Sequence, residues 1–158
     1  MDIREATAED AESISALCCE LSAKFITHEF TAVGVTHLLA SMQPESIEKY
    51  IRSGFKYHVA VIDNQVVGVV GVRDNSHLYH LFVAEKYQRR GIAKNLWQLA
   101  MDACLSRGSP GEFTVNSSEY ARGVYEKLGF VALSGPEEKN GVVYIPMKLE
   151  NSICLNTK

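Results

Sequence analysis

No apolar run in this chain reaches the roughly 20 residues that a membrane-spanning helix needs, so no membrane role is expected. The start, Met1-Asp2-Ile3-Arg4-Glu5, lacks the apolar stretch of a secretory signal. Positive charge is not in excess. A formal net charge of −3 and a pI near 5.9 remove the broad basic field that nucleic-acid binding draws on. Cysteine is sparse, at positions 18, 19, 104 and 154, and the spacing fits neither a zinc ribbon nor a CxxC redox pair. No metal site is expected, and reduced thiols in a cytoplasmic protein are. The GxxxxGK[ST] of a P-loop and the GxGxxG of a dinucleotide-binding turn are both missing.

What is present is ordinary for a globular chain: 158 residues, 46% hydrophobic and 22% charged. That is enough for one domain with a proper core, expected over residues 1–150, followed by a loose tail over 151–158. Ile3 to Glu5 reads as a first strand. Thr7 with Asp10 three residues later reads as a capping start for a helix to about Phe25. A second helix is expected over Thr36 to Met42. Pro44 opens a third, which Gly54 stops after Ser53.

The pattern then changes to β-branched runs, Tyr57–Ile62, Val66–Val72 and His77–Val83, separated by short polar turns. They predict an antiparallel meander covered on both faces. Alternation along the third run places His77, Tyr79, Leu81 and Val83 on one face and His80 on the other. A long helix follows Gly91 and ends at Arg107-Gly108. Glu112 to Val115 predicts a strand, parallel to His77–Val83 because a helix crosses between them. A serine at 117 or 118 caps a helix with Ala121, Val124, Tyr125 and Leu128 as its inner stripe. Phe130–Leu133 and Val142–Leu149 close the sheet as a hairpin around residues 135–141, and Pro146 points to an edge or a bulge.

The most informative stretch is Gln88-Arg89-Arg90-Gly91-Ile92-Ala93. A helix begins there directly after a strand, and its first N–H groups have no intrahelical partner. The aligned peptide dipoles add positive charge at that end. Gly91 and Ala93 let an anion approach the backbone, and Lys86, Arg89, Arg90 and Lys94 surround it. This combination points to a pyrophosphate clamp.

The clamp, together with the strand Leu81-Phe82-Val83 before it and Tyr125-Glu126-Lys127-Leu128-Gly129-Phe130 one strand later, resembles the GNAT superfamily of acyl-CoA-dependent N-acyltransferases. The resemblance covers the second half of the chain closely and the first half in element order. It implies an α+β fold with a central mixed, mostly antiparallel, splayed sheet of six or seven strands flanked by about four helices. It also implies acetyl-CoA as the donor, with coenzyme A as product. Its diphosphate would meet Arg89, Arg90, Gly91, Ile92, Ala93 and Lys94. Its pantetheine arm would add as a pseudo-strand to the backbone of Leu81, Phe82 and Val83.

Transfer to a primary amine needs a neutral amine and a stabilised thiolate leaving group. The resemblance assigns the general-acid tyrosine to Tyr125. For the base it points to His77, where related enzymes carry Glu or His; His28, Glu29, His80, or no dedicated base are the competing choices. Family members commonly place Asn seven residues before the tyrosine. Here Ser118 stands there, with Asn116 two residues earlier, and both are candidate cofactor contacts. Phe25, His28, Glu29, Phe30 and the 135–141 loop are the expected acceptor walls. The acceptor is a small-molecule amine or a protein amine, the chain a monomer or homodimer, and the alternative reading a non-catalytic acyl-CoA sensor on the same fold.

Overall fold

The computed structural model describes residues 1–150; the expected loose tail lies outside them. The elements run β1 (Asp2–Glu5), α1 (Ala11–Phe25), α2 (Ala32–Ser41), α3 (Pro44–Ser53), β2 (Lys56–Ile62), β3 (Gln65–Arg73) and β4 (His77–Val83). Then follow α4 (Ile92–Ser106), β5 (Glu112–Ser117), α5 (Arg122–Lys127), β6 (Val131–Ala132), β7 (Glu137–Lys139) and β8 (Val142–Glu150). The sheet order is β1-β2-β3-β4-β5-β8-β6, with β7 pairing on β8. Every pairing is antiparallel except β4 with β5. This is the α+β, mostly antiparallel architecture expected, with the five helices placed as read and one short strand, β7, more than anticipated. No described helix is long and apolar enough to cross a membrane.

Local chemistry sets the boundaries. The Thr7 amide donates to Asp10 Oδ2 at 2.8 Å and opens the turn that leads into α1. Asp63 and Asn64 both hold positive φ in the two-residue turn between β2 and β3, as Asn140 and Gly141 do between β7 and β8. Such turns match the right-handed twist of a hairpin, and Asn, Asp and Gly tolerate them. Thr31 Oγ1 accepts the Gly34 amide at 3.1 Å and starts α2 about one turn before the expected Thr36.

Two cores lie on opposite faces of the sheet. One joins Val70, Leu78, Leu96, Trp97, Phe113 and Met147 beneath α4 and α5. The other joins Ile14, Cys18, Leu21, Ile47, Tyr57 and Val59 beneath α1 and α3. Each fully buried large side chain contributes roughly 1.5–3 kcal/mol.

Three expectations are corrected. Val72 pairs with Leu78 and Gly71 with His80, so Tyr79 is an extra residue in β4. The Tyr79 ring therefore leaves the face shared by Leu81 and Val83, and His77 is off that face too, because Leu78 is the residue that joins their core. The Tyr79 ring packs against Tyr50 and Phe55 at 5.3 and 5.5 Å, on the same side as His80. Pro146 is not at an edge: β8 lies between β5 and β6, and the Pro146 carbonyl accepts the Leu133 amide at 2.8 Å just past the end of β6. Val124 is 44% exposed and does not belong to the inner stripe of α5, whose one buried residue is Tyr125.

Candidate active site

The parallel pair β4 and β5 stays in register only at His77 with Thr114 and Leu78 with Val115. Beyond Leu78 the strands separate, while β5 continues with β8 through Ser117. The Ala84 amide bonds Val67 O on β3 at 2.8 Å. Backbone groups alternate sides along a strand, so those of Leu81 and Val83 face away from β3 and into the gap. The Gln88 side chain already uses one of them, donating from Nε2 to Val83 O at 2.9 Å. Gln88 opens the stretch that the sequence singles out, but this bond back to the strand end was not anticipated.

Past the end of β4 the chain makes the turn expected to take an anion. Arg89 and Gly91 take left-handed φ values of 65° and 80°. The first helical bond of α4 runs from Asn95 N to Gly91 O, so the amides of Ile92, Ala93 and Lys94 stand free of intrahelical acceptors. A Cβ on Gly91 would meet nothing within 4 Å. Its glycine is therefore required by conformation, with open space on the ligand side. Arg89, Arg90 and Lys94 are exposed. None of them, nor Lys86, has a carboxylate partner among the described residues; Lys86 and Arg90 lie over the Tyr87 ring. Uncompensated positive charge beside free helix amides fits a diphosphate.

The gap opens into a cavity of about 420 Å³. It brings together His77, Leu81, Phe82, Asn116, Ser118 and Tyr125. Val83 and the 89–94 turn, also expected to contact the cofactor, lie outside its lining. Tyr125 is 7% exposed, its ring set edge-on to Phe130 at 5.7 Å, and burial raises its hydroxyl pKa. It stays protonated at neutral pH, so its hydroxyl is available as a donor. Ser118 accepts the Ala121 amide at 3.1 Å and so also shapes the entry to α5.

His77 shares a 2.7 Å hydrogen bond between Nδ1 and Thr114 Oγ1. Burial first, then the Arg73 charge, lowers its pKa to about 4. His80 is deeper, bonded through Nδ1 to the Tyr57 hydroxyl at 2.8 Å, and burial lowers it to about 3. Both imidazoles are neutral at pH 7.

The expected acceptor residues divide between two spaces. Phe30, Lys139 and Asn140 line the main cavity, whereas Phe25, His28 and Glu29 line an adjoining one of about 300 Å³. Between α1 and the start of α5, Phe25 stacks on Tyr120 at 4.6 Å, and the Tyr120 hydroxyl donates to Gln88 Oε1 at 3.3 Å. Sequence reading did not anticipate this bridge, because residues 25, 88 and 120 meet only in the fold. Among the described residues no group of three or more His, Cys, Asp or Glu is placed to hold a metal ion.

Solved structures share this architecture. A GCN5-related N-acetyltransferase from Rhodopseudomonas palustris superposes with a TM-score of 0.77 at 21% identity, over 95% of each chain. PaiA N-acetyltransferase from Thermoplasma acidophilum, solved with coenzyme A, gives 0.72 at 19% identity over 95% of this chain and 98% of that one. An aminoglycoside 6'-N-acetyltransferase complexed with coenzyme A gives 0.68 at 17%, over 95% and 97%. No curated protein matches the chain significantly. Residues 26–151 match the model of the acetyltransferase (GNAT) domain, and the chain belongs to that family.

Proposed function

We propose that this chain is an acetyl-CoA-dependent N-acetyltransferase that acetylates a primary amine by direct attack in a ternary complex. The observation that carries the reading is the gap beyond Leu78, with the backbone of Leu81 and Val83 facing it and Tyr125 lining its cavity. A pantetheine arm carries amides that suit such an edge. Leu81, Phe82 and Val83 would hold the arm, and Asn116 and Ser118 would hydrogen-bond it from the other side. Arg89, Arg90, Gly91, Ile92, Ala93 and Lys94 would take the diphosphate. Bound there, acetyl-CoA supplies a thioester carbon as electrophile and a thiolate as leaving group.

Tyr125 donates its hydroxyl proton toward the sulfur as the C–S bond breaks and the N–C bond forms. The proton released by the amine nitrogen leaves through neutral His77 and water. An imidazole held near 4 does not deprotonate an alkylammonium of pKa about 10 beforehand. The amine must therefore arrive neutral, and His77 accepts its proton only as attack proceeds.

Two measurements test this. Tyr125→Phe should lower kcat by about 100-fold while calorimetry finds unchanged acetyl-CoA affinity. In the unmodified protein, kcat/KM should climb about tenfold per pH unit from 7 toward 9, following the neutral amine. A plateau reached near 6.5 would assign the base to an ordinary histidine instead. Acetyl-CoA uptake with no thiol release over a broad amine panel would leave a binding module.

A further inference from the structure

The cavity holding Tyr125 and His77 has apolar and aromatic walls, including Ile26, Phe30, Leu38, Met42, Val143 and Tyr144. Among the described residues no Asp or Glu lines it; its charged side chain is that of Lys139. The carboxylates of Glu29 and Glu119 border the adjoining space instead, where Lys24 also lies. Glu137, on the same strand as Lys139, accepts a hydrogen bond from Ser134 at 2.8 Å.

The walls are also joined. Gly34 of α2 and Gly141 of the β7–β8 turn meet backbone to backbone, so close that a Cβ on either would overlap the other segment. His37 and Leu38 of α2 and Asn140 and Val142 of the hairpin are thereby tied together as two sides of one cavity. The contact closes the cavity on that side and leaves about 420 Å³ for the acceptor and the thioester end of the donor to share.

We infer that the acceptor is a small primary amine on an apolar body of aromatic size, with no second positive charge. This rests on the acetyl-transfer reading above. A polyamine or an aminoglycoside brings several ammonium groups, and each buried one needs a carboxylate. These walls offer none, and Lys139 repels them. The reacting nitrogen needs no counter-ion, because it attacks only as the neutral amine. A carboxylate beside it would hold it protonated. The apolar walls favour its release from water as the free base, and they bind its body by burial.

The test uses the full chain. Calorimetry first measures acetyl-CoA uptake, and thiol release is then followed with phenethylamine, spermidine, kanamycin and a lysine-containing peptide. The expected result is a kcat/KM for phenethylamine at least about tenfold above each of the others. Asn140→Asp places one carboxylate on the lining at a left-handed position that Asp tolerates. It should narrow the phenethylamine-to-spermidine ratio about threefold or more by local charge. Best turnover on spermidine, kanamycin or the peptide overturns the inference, as does acetyl-CoA uptake with no acetylation of phenethylamine; either leaves the cofactor reading standing. Absence of acetyl-CoA uptake removes that reading, and the inference falls with it.

Discussion

From β1 to β4 each strand pairs antiparallel with the next along nearly its whole length. From β4 to β5 pairing ends after Leu78. The first region is covered by α1 and α3 on one face and α4 on the other, and its residues Val59, Val69 and Val70 are fully buried. The second exposes strand backbone to a cavity. An unpaired buried backbone group costs free energy comparable to a lost hydrogen bond, so an open gap is stable only where water or a ligand fills it. The closed region supplies stability, and the open one keeps its hydrogen-bonding capacity for something that comes and goes.

Paired substitutions break this contrast most sharply. Tyr57 and Tyr125 are both buried tyrosines, one in each region. Tyr125→Phe should show its roughly 100-fold loss in kcat with an unaltered melting temperature. Tyr57→Phe removes the hydrogen bond to His80 and should cost about 1–3 kcal/mol of stability, with kcat retained in the folded fraction. If both variants lost turnover equally at unchanged stability, the division of labour between the regions would not hold.

Two glycines sharpen it. A Cβ on Gly71 would come within 2.5 Å of the Tyr57 ring. Gly71→Ala should cost about 1–3 kcal/mol in denaturant unfolding and leave acetyl-CoA affinity of the folded protein unchanged. Gly91→Val meets no steric obstacle but is strained at φ 80°. It should weaken acetyl-CoA binding about tenfold or more by shifting the turn. Equal affinities in the two variants would show that the turn does not hold the cofactor.

Acid should act on both regions through their histidines, and more gently through the partly exposed one. Unfolded imidazoles titrate near 6.5, whereas folded His80 titrates near 3 and His77 near 4. Between those values the unfolded chain binds more protons. Stability therefore falls as pH drops below 6.5 and levels off toward 3 to 4. For His80 the loss is on the order of several kcal/mol. Replacing it with Gln should flatten the melting temperature over that range; an unchanged slope would place the acid sensitivity elsewhere.

The legible parts were those set locally. Pro44 and Gly54 bracket α3, and the Asp63-Asn64 pair makes a hairpin turn. Gly91 after a strand marks the left-handed turn into α4, because each conformation there follows from neighbours in the chain. The Tyr79 bulge was not legible, since no glycine or proline flags it and the pairing with β3 decides it. Nor was the early start of α2, where the Thr31 cap outweighs weak periodicity. The Phe25–Tyr120–Gln88 bridge and the Gly34–Gly141 contact join segments far apart in sequence. Gly34 lay ahead of the expected helix with no reading of its own, and Gly141 was visible only as a loop residue, until the packing showed what they touch.

The strand absorbs Tyr79 locally. With it, two consecutive side chains, Tyr79 and His80, turn to the same face. Removing its codon would set the pairs Val72–Leu78 and Gly71–His80 side by side in an unbroken ladder, and Leu81 and Phe82 would keep their sides. What the deletion would take away is the ring that meets Tyr50 and Phe55, and with it the added local twist just where the parallel partner departs.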